Sequence, residues 1–307
     1  MIELIEALLD PQAPFLRYAF LAGILSSVAF GVIGAYVVAR RITYIAGAIA
    51  HSVLGGIGLA IFLQYRLGWT WCEPLHGATA AALLSAVIIG LAGLYAGERE
   101  DTIIGAVWAV GMGAGLLFLQ WTPGNYDPMS YLFGNILLIT KRDLVLILLL
   151  DTAVIALAAL FHNKLVAVCF DSEFARLRGV RVEAYYLLLL CLTALTVVLL
   201  ISVVGIVLVI ALLTLPAATA GQFARRISSM MLIAVTCCAG VVGGGLGISY
   251  SFEILSGPAI ILLSGGVYLL VVAGTALARR LRLGKGKPAS AIRARDAEQQ
   301  EHIQGGA

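Results

Sequence analysis

Apolar residues run along this chain in long, uninterrupted blocks. Charge-free segments cover residues 18–39, 42–65, 74–97, 102–126, 184–224, 227–252 and 254–278. A helix needs about 20 apolar residues to cross the hydrocarbon core of a bilayer, so each block is long enough. The run 184–224 is too long for one helix and divides best at 202–205, next to Gly205, while residues 144–161 add a further apolar segment interrupted by Asp151. The pattern predicts nine spans, at 17–39, 43–64, 75–96, 102–120, 143–161, 184–201, 204–222, 229–248 and 258–278. Continuous Leu, Ile, Val and Ala argue against a membrane β-barrel, whose strands alternate lipid-facing and inward residues.

Composition points the same way, with 61% hydrophobic and 12% charged residues against roughly 45–50% and about 25% in a soluble domain. The expected fold class is an all-α polytopic membrane protein with about nine transmembrane helices. Its parts are a segment 1–14, a membrane domain 15–280 and a polar tail 281–307 that reads as disordered. The acidic start, MIELIEALLD, leads into a long apolar run and argues against a cleavable signal peptide. Residues 130–140 are too short to cross and suit a re-entrant or interfacial piece.

An odd number of spans puts the termini on opposite sides. With the N-terminus outside, 16 of the 20 Lys and Arg residues lie inside, among them Arg40, Arg41, Arg225, Arg226 and the basic residues of 279–295. The positive-inside rule selects that orientation, with the C-terminus cytoplasmic. Trp69, Trp71 and Trp121 then sit at outer span ends, where an interfacial aromatic belt belongs. The net charge of +3 singles out no partner, and no nucleic acid is expected. Five cysteines without a C-x-x-C pair set no disulfide framework.

Ionisable groups at membrane depth are costly and therefore functional candidates. His51 falls near the middle of the second span, and Gly47 and Gly55, four residues to either side, share its helix face. An imidazole between glycines suits a borderline metal ion such as zinc, or a close helix contact made through a hydrogen bond. Asp151 is the one acidic residue inside a span, a candidate for a cation path or for a hydrogen bond to a neighbouring helix. Glu253 lies between the last two spans on the outer side, where a cation would arrive. Cys72, Glu73 and His76 cluster at the outer end of span 3, although one Cys-x-x-x-His pair is a weak metal signal. Gly93/Gly97, Gly111/Gly115, Gly240/Gly244 and Gly243/Gly247 have the small-xxx-small spacing of close helix packing. No G-x-x-x-x-G-K-[ST], H-E-x-x-H or G-x-S-x-G string occurs, so ATPase, zinc-protease and serine-hydrolase motifs are absent.

The longest inside loop, 163–183, contains FDSEFARLRGV. Asp171 suits a helix N-cap and Gly179 a helix end, giving a short amphipathic helix with Phe174 and Leu177 on one face. Such a helix reads as a docking element, or as an interfacial helix lying on the membrane.

Taken together, RRITYIAGAIAHSVLGG, FDSEFARLRGV, LTALTVVLLISVVGIVLVIALLTLPAATA and SYSFEILSGPAIILL resemble permease subunits of the zinc/manganese family of ABC importers. They occur in the family's order and span nearly the whole membrane part. The resemblance implies a type II-like importer permease of the bacterial plasma (inner) membrane, with a homodimeric pore between two copies embedded in lipid. It also implies a cytoplasmic ATPase dimer and an extracytoplasmic metal-binding protein. Residues 171–180 would match the coupling helix, with Asp171, Phe174, Ala175, Leu177 and Gly179 as its ATPase-coupling residues. His51 would line the metal path, with Asp151 and Glu253 as further path candidates. Family members often carry Asp four residues before this His, where the present chain has Gly47. A site with imidazole and without that carboxylate leans toward zinc over manganese. No cofactor is expected on this chain; the divalent metal, zinc or manganese, is cargo, and ATP hydrolysis belongs to a partner. The alternatives are a siderophore/cobalamin-type ABC permease, a stand-alone secondary cation transporter, and a membrane enzyme whose only paired groups would be His51 and Asp151.

Overall fold

The computed structural model of the protein describes residues 14–95, 100–124, 131–132 and 139–284. Among them are eleven helices and no strand: α1 (Pro14–Arg40), α2 (Thr43–Leu67), α3 (Pro74–Tyr95), α4 (Glu100–Trp121), α5 (Lys141–Leu160), α6 (His162–Phe170), α7 (Ser172–Leu177), α8 (Val182–Val204), α9 (Ile206–Gly221), α10 (Ile227–Phe252) and α11 (Ser256–Gly284). Every segment read as a span is helical. Seven of these helices are long and apolar enough to cross a membrane, and the apolar stretches Val182–Val198 of α8 and Ile206–Gly221 of α9 are shorter. Without water to bond, a spanning backbone must satisfy its own polar groups, which a helix does within one segment. Buried hydroxyls follow the same rule. Ser26, Ser27, Thr193 and Thr196 each donate to the carbonyl one turn back, at 2.7–2.8 Å.

Turn chemistry sets the boundaries. Gly205, at φ 85°, closes α8 and opens α9 inside the expected 202–205 break. Between α1 and α2, Arg41 N–H donates to Val38 O and Ile42 N–H to Val37 O at 3.1 and 3.0 Å, a Schellman turn with Arg41 at φ 64°. The same pair of bonds ends α7, from Gly179 N–H to Arg176 O and from Val180 N–H to Ala175 O, but there glycine takes the left-handed position at φ 76°.

Helix α2 is the centre of the molecule, packing most extensively on α4 and then on α3. A Cβ built at Gly55 would lie 2.7 Å from Gly111 O, and one at Gly58 would lie 2.6 Å from Gly115 O. Two helix backbones thus meet along a seam that no side chain fits, which is how helices associate where no hydrophobic force separates lipid from protein. On the other side α1 packs on α10, α9 and α5, and α11 covers α9 and α10. Helix α8 joins the two groups through contacts with α1, α2, α3 and α5.

The last helix continues to Gly284, beyond the expected domain edge at 280. The rest of the 281–307 tail and residues 1–13 lie outside the described residues, as does most of the 130–140 segment.

Candidate functional site

His51 sits on α2 and is partly buried. Its Nδ1 lies 2.9 Å from Gly47 O. A carbonyl can only accept, so Nδ1 carries the proton and Nε2 keeps its lone pair, the arrangement by which metal-ligating imidazoles are usually oriented. The second constraint comes from α4, where the Trp108 indole stacks on the imidazole at a centroid distance of 4.2 Å and an interplanar angle of 23°. Tyr44 approaches the same indole at 6.4 Å. Gly47 lies beside the indole, where a Cβ would touch Trp108 Cζ3 at 3.7 Å, an ordinary contact. Below the stack a cavity of about 540 Å³ opens toward the end of the bundle that carries Arg41, lined by Gly47, Trp108, Thr43, Tyr44 and Tyr268 among others.

The other path candidates stand apart. Asp151 is 4% exposed, and its Oδ1 has no hydrogen-bond partner. It belongs to α5, whose neighbours are α1, α6 and α8, whereas the ring contact of His51 comes from α4. Glu253 caps α10 in the left-handed region at φ 53° and is exposed at the opposite end from Arg41. Among the described residues no three His, Cys, Asp or Glu side chains converge to hold a metal. Cys72 and His76 line a larger, mainly apolar cavity of about 800 Å³ between α2, α3 and α4, and His76 Nδ1–H donates to Trp71 O at 3.0 Å.

At the Arg41 end the chain folds into an arm. Helix α6 is tied to α1 at both ends through one residue. The fully buried Tyr36 hydroxyl hydrogen-bonds His162 Nδ1 at 2.6 Å, and Cys169 Sγ–H points to Tyr36 O at 3.9 Å. Burial pushes the Cys169 thiol up to about 11, so it stays protonated. From α6 the chain turns at Asp171, whose Oδ1 accepts the Phe174 N–H at 2.9 Å and caps α7. Ala175 anchors the short helix at 1% exposure, while Phe174 at 52% and Leu177 at 87% face outward. Arg178 lies 5.1 Å over the Phe174 ring, and an exposed Arg176–Glu183 ion pair of 2.6 Å ties α7 to α8.

Trp108 is the residue that sequence reading passed over. Its signal was present, since tryptophan concentrates at membrane interfaces and this one lies mid-helix in α4.

A bundle of apolar helices, with a glycine-tight core and a short amphipathic helix at its basic end, is the fold of an ABC importer permease. Residues 12–275 match the ABC 3 transport family, and the chain belongs to it. A probable metal transport system membrane protein from Chlamydia muridarum is 39% identical over 274 residues, covering 88% of this chain and 91% of that one. The manganese import system permease protein ScaB of Streptococcus gordonii is 30% identical over 268 residues, covering 87% and 93%. Among solved structures, PsaBC from Streptococcus pneumoniae in complex with Fab superposes with a TM-score of 0.77 at 30% identity, covering 88% of this chain and 95% of that one. The protein is thus a multi-pass metal ABC importer permease of the bacterial inner membrane. Such a permease is not itself catalytic, and membership implies ATPase and substrate-binding partners.

Proposed function

We infer that this chain forms, with a second copy of itself, the translocation path of an importer for a first-row divalent metal ion, with zinc preferred. The observation that carries this reading is the Nδ1–H bond from His51 to Gly47 O, which presents Nε2 as a single neutral nitrogen donor. Neutral imidazole suits zinc, and the carboxylate that favours harder manganese is missing at Gly47. The curated relative ScaB is named for manganese, so the two ions are the pair to compete. Glu253 marks the face where an extracytoplasmic metal-binding protein docks. Residues 171–180 lie on the cytoplasmic face and seat in an ATPase dimer through Phe174 and Leu177, with Asp171, Ala175 and Gly179 holding the shape of that helix. The support for this is an 87%-exposed leucine on a helix anchored by a buried alanine, a cost in water that a partner groove removes.

In proteoliposomes holding the complete complex, His51→Ala is expected to cut ATP-driven zinc uptake by at least about tenfold, since even the residues that orient metal ligands are worth about 10–100-fold. Unchanged uptake removes His51 from the path. Leu177→Asp is expected to abolish co-purification of the ATPase while leaving the permease folded, and a complex that survives the change overturns the docking role.

A further inference from the structure

The His51–Trp108 stack stands where α2 and α4 are locked together by glycines, and the cavity toward Arg41 begins directly beneath it. Gly47 and Trp108 wall that cavity, and the His51 ring does not. Trp108 is therefore the side chain that touches both: one face of its indole lies on the imidazole and the remainder borders the open space. Resting on His51 as the metal ligand, we propose that Trp108 is the inner gate and the positioning residue of the path. The indole holds the imidazole plane so that Nε2 faces the arriving ion, and it closes the way from His51 to the 540 Å³ cavity until α4 moves relative to α9 and α11.

Three observations carry this assignment. The imidazole has one fixed hydrogen bond, from Nδ1 to Gly47 O at 2.9 Å, which sets its tautomer but leaves rotation about that bond to be stopped by a second contact. The indole supplies it. Trp108 is anchored on a helix whose register with α2 has no slack, because Gly55 and Gly58 meet the backbone of Gly111 and Gly115 at distances that exclude a methyl group. Other helices supply further walls of the cavity, among them Thr214 and Leu215 from α9 and Tyr268 from α11. The cavity thus lies between the glycine-locked α2–α4 pair and helices α9 and α11, with α9 also packed on α1 and α2, and a shift of α9 and α11 relative to α4 changes its width without disturbing the seam. An apolar constriction blocks a hydrated ion by dewetting, and the indole face also attracts a cation once the ion has shed water.

The test measures passive and ATP-driven flux separately. Proteoliposomes carrying the complete complex and an internal zinc indicator are assayed with and without ATP for the wild type, Trp108→Phe, Trp108→Ala and His51→Ala. Without ATP, Trp108→Ala is expected to leak zinc about tenfold faster than the wild type, as removal of a hydrophobic constriction should. Trp108→Phe, which keeps an aromatic face, is expected to stay at the wild-type leak. If Trp108→Ala does not assemble, Trp108→Ser, small and without an apolar face, takes its place with the same expectation. Low leak in the assembled Ala or Ser variant overturns the gate, whatever its ATP-driven uptake. His51→Ala separates the two failures: if it leaves ATP-driven uptake intact, the reading of His51 as ligand fails first. If it abolishes uptake while the Trp108 variants behave as wild type, only the gate fails.

Discussion

His51 and Asp151 each place an ionisable group inside an apolar helix, and the fold treats them in opposite ways. His51 is partly open, has one ring nitrogen bonded to its own helix, and is stacked on Trp108, which lines a cavity. Asp151 is 4% exposed with its Oδ1 unpartnered, on a helix that packs on α1 and α8. A group poised to take a ligand is held by part of its hydrogen-bonding capacity and keeps the rest at an open edge. Asp151 shows neither feature within this chain. Depth in the membrane, which the two share in sequence, does not separate these cases; the neighbouring helix does.

The comparison breaks most completely if the α2–α4 seam is forced apart. Gly58→Leu pushes a side chain into Gly115 O, and overpacking of this kind costs about 1–3 kcal/mol or more. The expected result is loss of folded permease, read as the yield of monodisperse protein in detergent. A normal yield would mean that the seam is slacker than the 2.6 Å approach implies. A smaller effect sharpens the contrast from the other side. Asp151→Leu removes a buried, unpartnered carboxylate and is expected to raise the thermal midpoint, with a gain on the order of 1 kcal/mol. Metal uptake stays near wild type, the reverse of His51→Ala. Loss of uptake in a well-folded Asp151→Leu complex would place Asp151 on the metal path. The smallest effect belongs to the cavity mouth. Arg41 holds a left-handed turn at φ 64° that Gly179 holds at φ 76° without a side chain. Relief of that strain in Arg41→Gly is expected to stabilise the protein by up to about 1 kcal/mol, measured as a rise in thermal midpoint of a degree or more.

Most of the helical framework was legible without coordinates. Each apolar block falls on a helix among the described residues, with most ends within a few residues and the last helix running six residues further, because charged and turn-forming residues bound each block and a membrane leaves the backbone no alternative to the helix. The division at Gly205, the Asp171 cap and the Gly179 ending were readable for the same local reason: each depends on one residue's own backbone or side-chain preference. The two short helices α6 and α7, and the arm they make with Tyr36, were only half visible, since the cap can be read but the tie from His162 to α1 joins residues far apart in the chain.

Sequence by itself determined that this chain is a helical membrane permease, which residues begin and end its helices, and that His51 is an unusual residue in an apolar span. Those are consequences of local hydrophobicity, turn geometry and the cost of burying charge. Only the tertiary structure decided that His51 meets an indole from α4, that a cavity starts beneath that pair, and that Asp151 is enclosed elsewhere. Each of these depends on the azimuth at which one helix faces another. Glycine-to-glycine contact sets that angle in three dimensions, while along a chain with no hydrophilic face most sides of a helix read alike.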